Sequence, residues 1–330
     1  MRVAVAACCL ALTGCYRYSD FALPVLPGQP GAVAWKWDVH PTPVIGNRSD
    51  WARVDALNPS VLDVNGSLRN LYSGYDGKMW RTGITFSVDG LLWNGDEKVL
   101  APDPSTWEGD YIAANGTAVY DRGRYLYWYQ ADRNPRIGLA ISVDAKRWSK
   151  HPNPVLRTGP RGSWDERGVA DPYVIRQGEF YYMYYLGEDR ARRQRLGVAR
   201  SVDGITWTKY RDGPILELGA PGAFDELGLG EPAVWSQHGW YWMLYTGRDR
   251  REFRRLGLAR SRDGVNWTRV TEEPVLSGTH DWDSKVVCDP SVLVEGDIVR
   301  VWFGGGNRAE PAENLNGKIG YATLKITLTP

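Results

Sequence analysis

The stretch Ser201-Val202-Asp203-Gly204-Ile205-Thr206-Trp207 decides the fold, because it occurs four times. It returns as Ser87-Val88-Asp89-Gly90-Leu91-Leu92-Trp93, as Ser142-Val143-Asp144-Ala145-Lys146-Arg147-Trp148 and as Ser261-Arg262-Asp263-Gly264-Val265-Asn266-Trp267. Asp-Gly marks a hairpin turn, since glycine takes positive φ without strain. The serine and aspartate can bond the turn's own backbone, and the tryptophan is then free to pack between neighbouring units. A fixed period of this length is the signature of a repeat architecture.

A second phrase precedes each turn. Asn58-Pro59-Ser60-Val61, Asp171-Pro172-Tyr173-Val174, Glu231-Pro232-Ala233-Val234 and Asp289-Pro290-Ser291-Val292 align, with Thr117-Ala118-Val119 as the fifth member. Trp51, Trp164, Phe224 and Trp282 stand seven residues ahead of four of them. An aromatic strand follows, such as Tyr181-Tyr182-Met183-Tyr184-Tyr185, and then a small-residue strand such as Leu196-Gly197-Val198-Ala199-Arg200. Each unit thus holds four strands, and four antiparallel strands repeated radially make a propeller. The expectation is an all-β, five-bladed β-propeller of four-stranded antiparallel blades over residues 33–330. The final unit lacks the Asp-Gly turn, so the segment near Val33 to Val44 is expected to supply its outer strand and close the ring. A β-solenoid is the alternative, but its repeats are usually shorter.

The chain of 330 residues carries 40 Lys+Arg against 39 Asp+Glu, a balance that gives no electrostatic reason to expect nucleic acid. At the N-terminus Arg2, the apolar run Val3 to Leu12 and Leu12-Thr13-Gly14-Cys15 resemble a bacterial lipoprotein signal. That reading gives a signal peptide over residues 1–14, lipidation of Cys15, a tether over 15–32 and, with Tyr16 rather than Asp after the cysteine, an outer-membrane address. Membrane contact would then come through the lipid alone, since no apolar run after Cys15 is long enough to cross a bilayer. Removal of the signal and lipidation of Cys15 leave Cys288 as the one free thiol, so the mature protein forms no intrachain disulfide. His40, His151, His238 and His280 are scattered without metal-ligand spacing, and no metal or cofactor is expected. The protein is expected to act as a monomer.

In a propeller the innermost strands line the axial channel, and their leading residues Asn58, Thr117, Asp171, Glu231 and Asp289 are expected to converge there. The loops between second and third strands, including Asp189-Arg190 and Asp249-Arg250, should open on the same face. A ring of carboxyl groups suits glycosidic-bond cleavage, which needs a protonated acid and an opposed carboxylate. Crowding keeps one of them protonated near neutral pH. Arg190 and Arg250 could clamp an anionic sugar, whereas Asp165, Asp225 and Asp283 are expected to hold turns. The bland alternative is that Asp-Pro and Glu-Pro merely cap a strand entry.

Ala170-Asp171-Pro172-Tyr173, Gly230-Glu231-Pro232, Cys288-Asp289-Pro290 and the Ser-x-Asp-Gly-x-x-Trp turns resemble the five-bladed propeller glycosidases. These are glycoside hydrolase family 43, an arabinofuranosidase- and xylosidase-type family, and its relatives in families 32, 62, 68, 117 and 130. The resemblance implies an aspartate base in the first blade, a pKa-tuning aspartate matching Asp171 and a glutamate acid matching Glu231. The first blade instead presents Asn58, which cannot deprotonate water. Either Asp289 or Asp55 then serves as base, or the protein is not a simple hydrolase. Family 130 contains phosphorylases, in which phosphate attacks and no protein base is needed, although export argues against a controlled phosphate supply. Three readings stand: an exported glycoside hydrolase acting by inverting acid/base hydrolysis on a poly- or oligosaccharide, a non-catalytic glycan-binding propeller, and a phosphate-dependent glycoside phosphorylase.

Overall fold

A computed structural model describes residues 18–47, 49–211 and 213–329; the stretch expected to be a signal peptide and Cys15 lie outside them. Among the described residues the strands group into five antiparallel four-stranded blades. Blade one holds β3 (Asp55–Val64), β4 (Ser67–Tyr75), β5 (Trp80–Ser87) and β6 (Asn94–Leu100). Blade two holds β7 (Ala113–Asp121), β8 (Arg124–Ala131), β9 (Arg136–Ser142) and β10 (Ser149–Lys150). Blade three is β11 (Gly168–Gln177), β12 (Phe180–Glu188), β13 (Gln194–Ser201) and β14 (Thr208–Tyr210). Blade four is β15 (Gly228–Gln237), β16 (Trp240–Arg248), β17 (Arg254–Ser261) and β18 (Thr268–Arg269). Blade five is β19 (Val286–Glu295), β20 (Ile298–Gly306) and β21 (Lys318–Thr329). Its fourth strand is β2 (Ala32–Val39), which runs antiparallel to β21 from Ala32 opposite Thr329 to Val39 opposite Ala322. This is the closure expected of the segment near Val33. The innermost strands β3, β7, β11, β15 and β19 touch in a closed ring.

The repeated phrase does structural work. In three turns the serine hydroxyl accepts the glycine N–H and the aspartate Oδ1 accepts the next two N–H groups. Gly90, Gly204 and Gly264 take φ of 78°, 75° and 71°. Ala145 replaces glycine in blade two at φ 61°, at a conformational cost of about 1–2 kcal/mol. The freed carbonyls then join blades. Gly204 O accepts Trp207 Nε1 at 3.0 Å and Trp128 Nε1 of blade two at 2.8 Å. Gly90 O likewise accepts Trp93 and Trp302, and Gly264 O accepts Trp267 and Tyr184. The ring pairs are edge-to-face, at 6.0 Å for Trp128–Trp207 and 6.2 Å for Trp93–Trp302, an arrangement worth about 0.5–1.5 kcal/mol each beyond buried area.

The aromatics ahead of four of the blades seal their entries. Trp164 stacks on Tyr185 at 5.6 Å and Trp282 on Phe303 at 5.9 Å. Gly197 explains the small-residue strand, because a Cβ there would lie 2.6 Å from the Trp164 ring. Asp165 and Asp225 do hold these corners: Asp165 bonds Ser163 and Lys209, and Asp225 bonds Arg269. Asp283 accepts the backbone N–H of His280.

The stretch expected to be a tether differs from that description over its described part. β1 (Tyr18–Ser19) pairs in parallel with β14. Phe21 and Leu23 are buried against blades three and four, and the N–H groups of Leu23 and Leu26 donate to Asp263 and Arg262. Packing apolar side chains over an otherwise open turn stabilises the segment more than solvation would.

Candidate functional site

Each innermost strand carries a β-bulge at its entry. At each bulge one non-glycine residue takes a left-handed conformation: Asn58 (φ 49°), Asn115 (50°), Asp171 (47°), Glu231 (50°) and Asp289 (52°). A bulge re-aims its side chain, and here the bulges aim all five at the axis. Holding left-handed φ at all five blades is strain of the kind that clusters at functional sites.

Asn115, not Thr117, therefore completes the ring. Thr117 sits two residues further on, buried, with its hydroxyl donating to Pro172 O. The signal was present, since Asn115-Gly116-Thr117 matches Asn58-Pro59-Ser60 with glycine in place of proline, and position 115 keeps a more even period.

The ring divides into two amides and three acids. Asn58 donates from Nδ2 to Asp289 Oδ1 at 2.8 Å and from its backbone N–H to Oδ2 at 3.2 Å. The Asn115 side chain hydrogen-bonds the Asp171 carboxyl, while its backbone N–H donates to Ser73. Glu231 stands between, and accepts the Asp289 backbone N–H at 3.3 Å. Burial, and after it the charge of Glu231, raises Asp171 to about 8 and holds Asp289 well above the usual carboxylate range. Asp171 therefore holds a proton at neutral pH, and Asp289 is shifted in the same direction.

The expected bases fare differently. Glu231, Cys288 and Asp289 bring oxygen and sulfur atoms within 4.8 Å of one another. That is closer than the roughly 6.5–9.5 Å that lets water stand between an inverting pair, so Asp289 is not placed as the opposed base. Asp55 is fully buried, with its oxygens accepting the N–H groups of Asn314 and Gly317 at 2.7 Å each. It anchors the blade-five loop instead. The same cluster would suit a cation poorly: Asn58 already donates to both Asp289 oxygens, and burial raises the Cys288 thiol well above its ordinary value.

Above the ring lies a cavity of about 340 Å³. Asn58, Asn115, Asp171, Glu231 and Asp289 line its floor, and Trp80 and Tyr111 contribute aromatic surface. Most of the aromatic excess packs blades rather than this cavity. Five arginines line it: Arg133, Arg167, Arg192, Arg248 and Arg254. Arg254 is buried and donates to the carbonyls of Glu310 and Pro311, and Arg248 bonds Gln194 and Glu252. Arg190 and Arg250 do not line the cavity; Arg250 is exposed and pairs with Glu226 at 3.1 Å. The second-to-third loops hold both kinds of arginine, and only the fold separates them.

Glu313 is a further carboxylate that sequence reasoning missed. It stands on the cavity wall in the blade-five loop, accepting Tyr111 Oη at 2.7 Å and Tyr75 Oη at 3.5 Å. Those contacts place it over blades one and two, across the axis from Glu231. No motif marks it, because its loop lies outside the repeat.

Comparison with known proteins agrees with this geometry. Residues 105–212 match the family model described as β-1,4-mannooligosaccharide phosphorylase, glycoside hydrolase family 130. An uncharacterised protein of Mycobacterium tuberculosis is 29% identical over 239 residues, 68% of this chain and 75% of that one. A 1,2-β-oligomannan phosphorylase of Thermoanaerobacter is 24% identical over 278 residues, 64% of this chain and 92% of the relative. The fold is that of a solved structure from family 130, described as mannoside phosphorylases that include glycoside hydrolases targeting β-1,2-mannosidic linkages in Candida mannan. It superposes with a TM-score of 0.69 at 19% identity, covering 91% of this chain and 96% of that one. The chain is thus a glycoside hydrolase-like propeller, similar to both the hydrolases and the phosphorylases of this fold.

Proposed function

We propose that the protein cleaves β-linked mannosides by transfer to inorganic phosphate. The observation that carries this reading is the Asn58–Asp289 contact at 2.8 Å. It fills the base position with an amide and ties up the carboxylate that could have replaced it, while leaving the acid side of the ring intact. In phosphorolysis the phosphate oxygen attacks the anomeric carbon as the glycosidic C–O bond breaks. The proton for the leaving oxygen comes from the Asp171–Glu231–Asp289 set, and no protein base is required. Arg248 and Arg254 line the same cavity and offer cations to a phosphate dianion. The mannoside choice, rather than the arabinose or xylose of family 43, rests on the similarity to the mannooligosaccharide and oligomannan phosphorylases.

Hydrolysis is the second reading, favoured by one observation: Glu313 faces the acids from the opposite wall and could take a proton from water. Incubation with β-1,2- and β-1,4-mannobiose, with and without phosphate, separates the two. Mannose 1-phosphate formed only with phosphate supports phosphorolysis; free mannose without phosphate, abolished by Glu313→Gln, replaces it. No release under either condition leaves a glycan-binding propeller.

We propose further that the protein works as a monomer exported and held by a lipid on Cys15, which Leu12-Thr13-Gly14-Cys15 supports, and that it then draws on the phosphate of its surroundings rather than on a controlled internal supply. An intact mass of the membrane-extracted protein showing diacylglyceryl and an acylated Cys15 tests it; an unmodified N-terminus at another residue refutes it.

A further inference from the structure

The two faces of the propeller differ in a way the cavity chemistry does not use. Entry bulges and second-to-third loops lie on the cavity face; the first-to-second hairpins and the Asp-Gly turns lie on the opposite, turn face. Val88, Leu92, Val143, Val202 and Ile205 stay exposed, and all belong to the third-to-fourth-strand turns of blades one to three. In blade four the corresponding turn is covered by the N-terminal segment: Leu23 lies on Gly264, and Val265 is buried. There the exposed apolar residue is Val25, from the covering segment itself. Apart from Ile205, these side chains are 64–85% exposed. The remaining large exposed apolar residues among those described, Tyr120 and Val294, flank first-to-second hairpins and so share the face. None stands on the cavity face. Isolated exposed apolar side chains need no explanation, but eight on one face and none on the other among the described residues mark a contact surface.

The chain entry says what covers it. β14 leaves the Asp203-Gly204 turn and runs toward the cavity face. β1 is parallel to it, so the chain enters β1 at Tyr18 from the turn-face side. Residues 20–31 then return across the blade-four turns, bonded to Arg262 and Asp263. Cys15 is three residues before Tyr18, a reach of about 10 Å at full extension. A lipid there stays within that reach of the point where the chain enters β1 from the turn-face side.

We infer that the turn face is a membrane-contacting surface, seated on the lipid headgroups by Val88, Leu92, Val143, Val202 and Val25, with the cavity directed away from the bilayer. The inference rests on lipidation of Cys15. Its physical basis is that the acyl chains on Cys15 hold the chain end at the bilayer, and apolar side chains around that end then fix which face meets the headgroups. Among the described residues no helix is long and apolar enough to cross a membrane, so the contact is interfacial. With the cavity outward, a polymeric glycan can thread in without meeting the bilayer.

The test uses the full chain, purified from membranes and reconstituted on phosphatidylethanolamine–phosphatidylglycerol vesicles carrying spin-labelled lipid. Val143→Cys, Val202→Cys and, on the cavity face, Arg190→Cys are each labelled with a fluorophore; Cys288 is buried and will not compete. The expected result is at least two-fold stronger quenching at positions 143 and 202 than at 190, lost in the triple variant Val88→Asp, Val143→Asp, Val202→Cys. Equal quenching at all three single sites, with the mass of the same sample showing acylated Cys15, overturns the orientation while sparing the anchor. An unacylated Cys15 overturns both.

Discussion

Glu231→Gln should make the fold more stable and the catalyst worse, and the first effect should depend on pH. In the native ring the Glu231 and Asp289 carboxyl oxygens are at most 4.8 Å apart, in a site where Asp289 is 6% exposed. With an effective dielectric constant near 20, two charges at that distance repel by about 3.5 kcal/mol. Proton uptake relieves part of this, leaving about 1–3 kcal/mol recoverable by a neutral side chain. The sign follows from the raised pKa values of Asp171 and Asp289. A carboxyl whose folded pKa lies above its unfolded value favours the fold while protonated, and that favour is lost as pH rises from about 4 through the folded pKa. Removing Glu231's charge lowers both folded values, so the gain appears at pH 8 and vanishes at pH 4–5. For a chain of this size 1 kcal/mol moves Tm by about 2 °C, giving a shift of about 2–6 °C at pH 8. Thermal unfolding of both proteins at pH 4.5 and pH 8 measures it, and turnover of an unactivated mannobiose should fall about 10²–10⁴-fold. An equal gain at both pH values, or a loss at pH 8, would show that Glu231 does not press on its neighbours and that the acid set is misread.

Other substitutions probe the remaining parts of the argument. Asn58→Asp places a second carboxyl where an amide now stands 2.8 Å from Asp289. The new pair shares a proton, so hydrolysis without phosphate should not appear at pH 7, and release of free mannose would contradict this. Gly197→Val meets the Trp164 ring and should destabilise by about 1–3 kcal/mol in urea unfolding, with no change in the products formed. Arg250→Ala removes an exposed cation and should leave turnover and stability nearly unchanged. Arg254→Met should raise the KM for phosphate at least ten-fold with a smaller effect on that for mannoside, measured in the phosphorolytic direction.

The fold was legible because its repeat is a backbone requirement. A turn that needs positive φ at Gly204, two N–H groups held by Asp203 and a carbonyl shared by Trp207 and Trp128 admits few alternatives, so the same letters recur. The closure by β2 was legible for a related reason: a blade missing its turn must find a fourth strand elsewhere. Asp171, Glu231, Asp289 and Asn58 were legible since the bulge that aims them fixes their place in the repeat. Asn115 escaped because proline marked the other four bulges, although left-handed φ is what they share, and asparagine before glycine meets that need equally well.

What stayed hidden has no period. Asp55 and Asp289 were equal candidates as bases in the sequence, yet one lies under a loop and the other against an amide; each fate is set by residues more than 200 positions away. Glu313 comes from the long blade-five loop, where spacing carries no register, and Arg248 and Arg254 stand at strand ends where blade three carries Glu188 and Gln194, so position recurs there but residue type does not. Those positions are also where the acceptor is decided. The ring carries acids on three blades and amides on the other two, an arrangement that leaves phosphate able to attack unaided and water in need of a base from elsewhere. Five arginines on the wall favour phosphate and Glu313, opposite the acids, favours water, one side chain at a time. A single scaffold can therefore pass between phosphorolysis and hydrolysis without altering the repeat, which is why similarity to the fold alone predicts a glycoside-cleaving site but not the molecule that attacks.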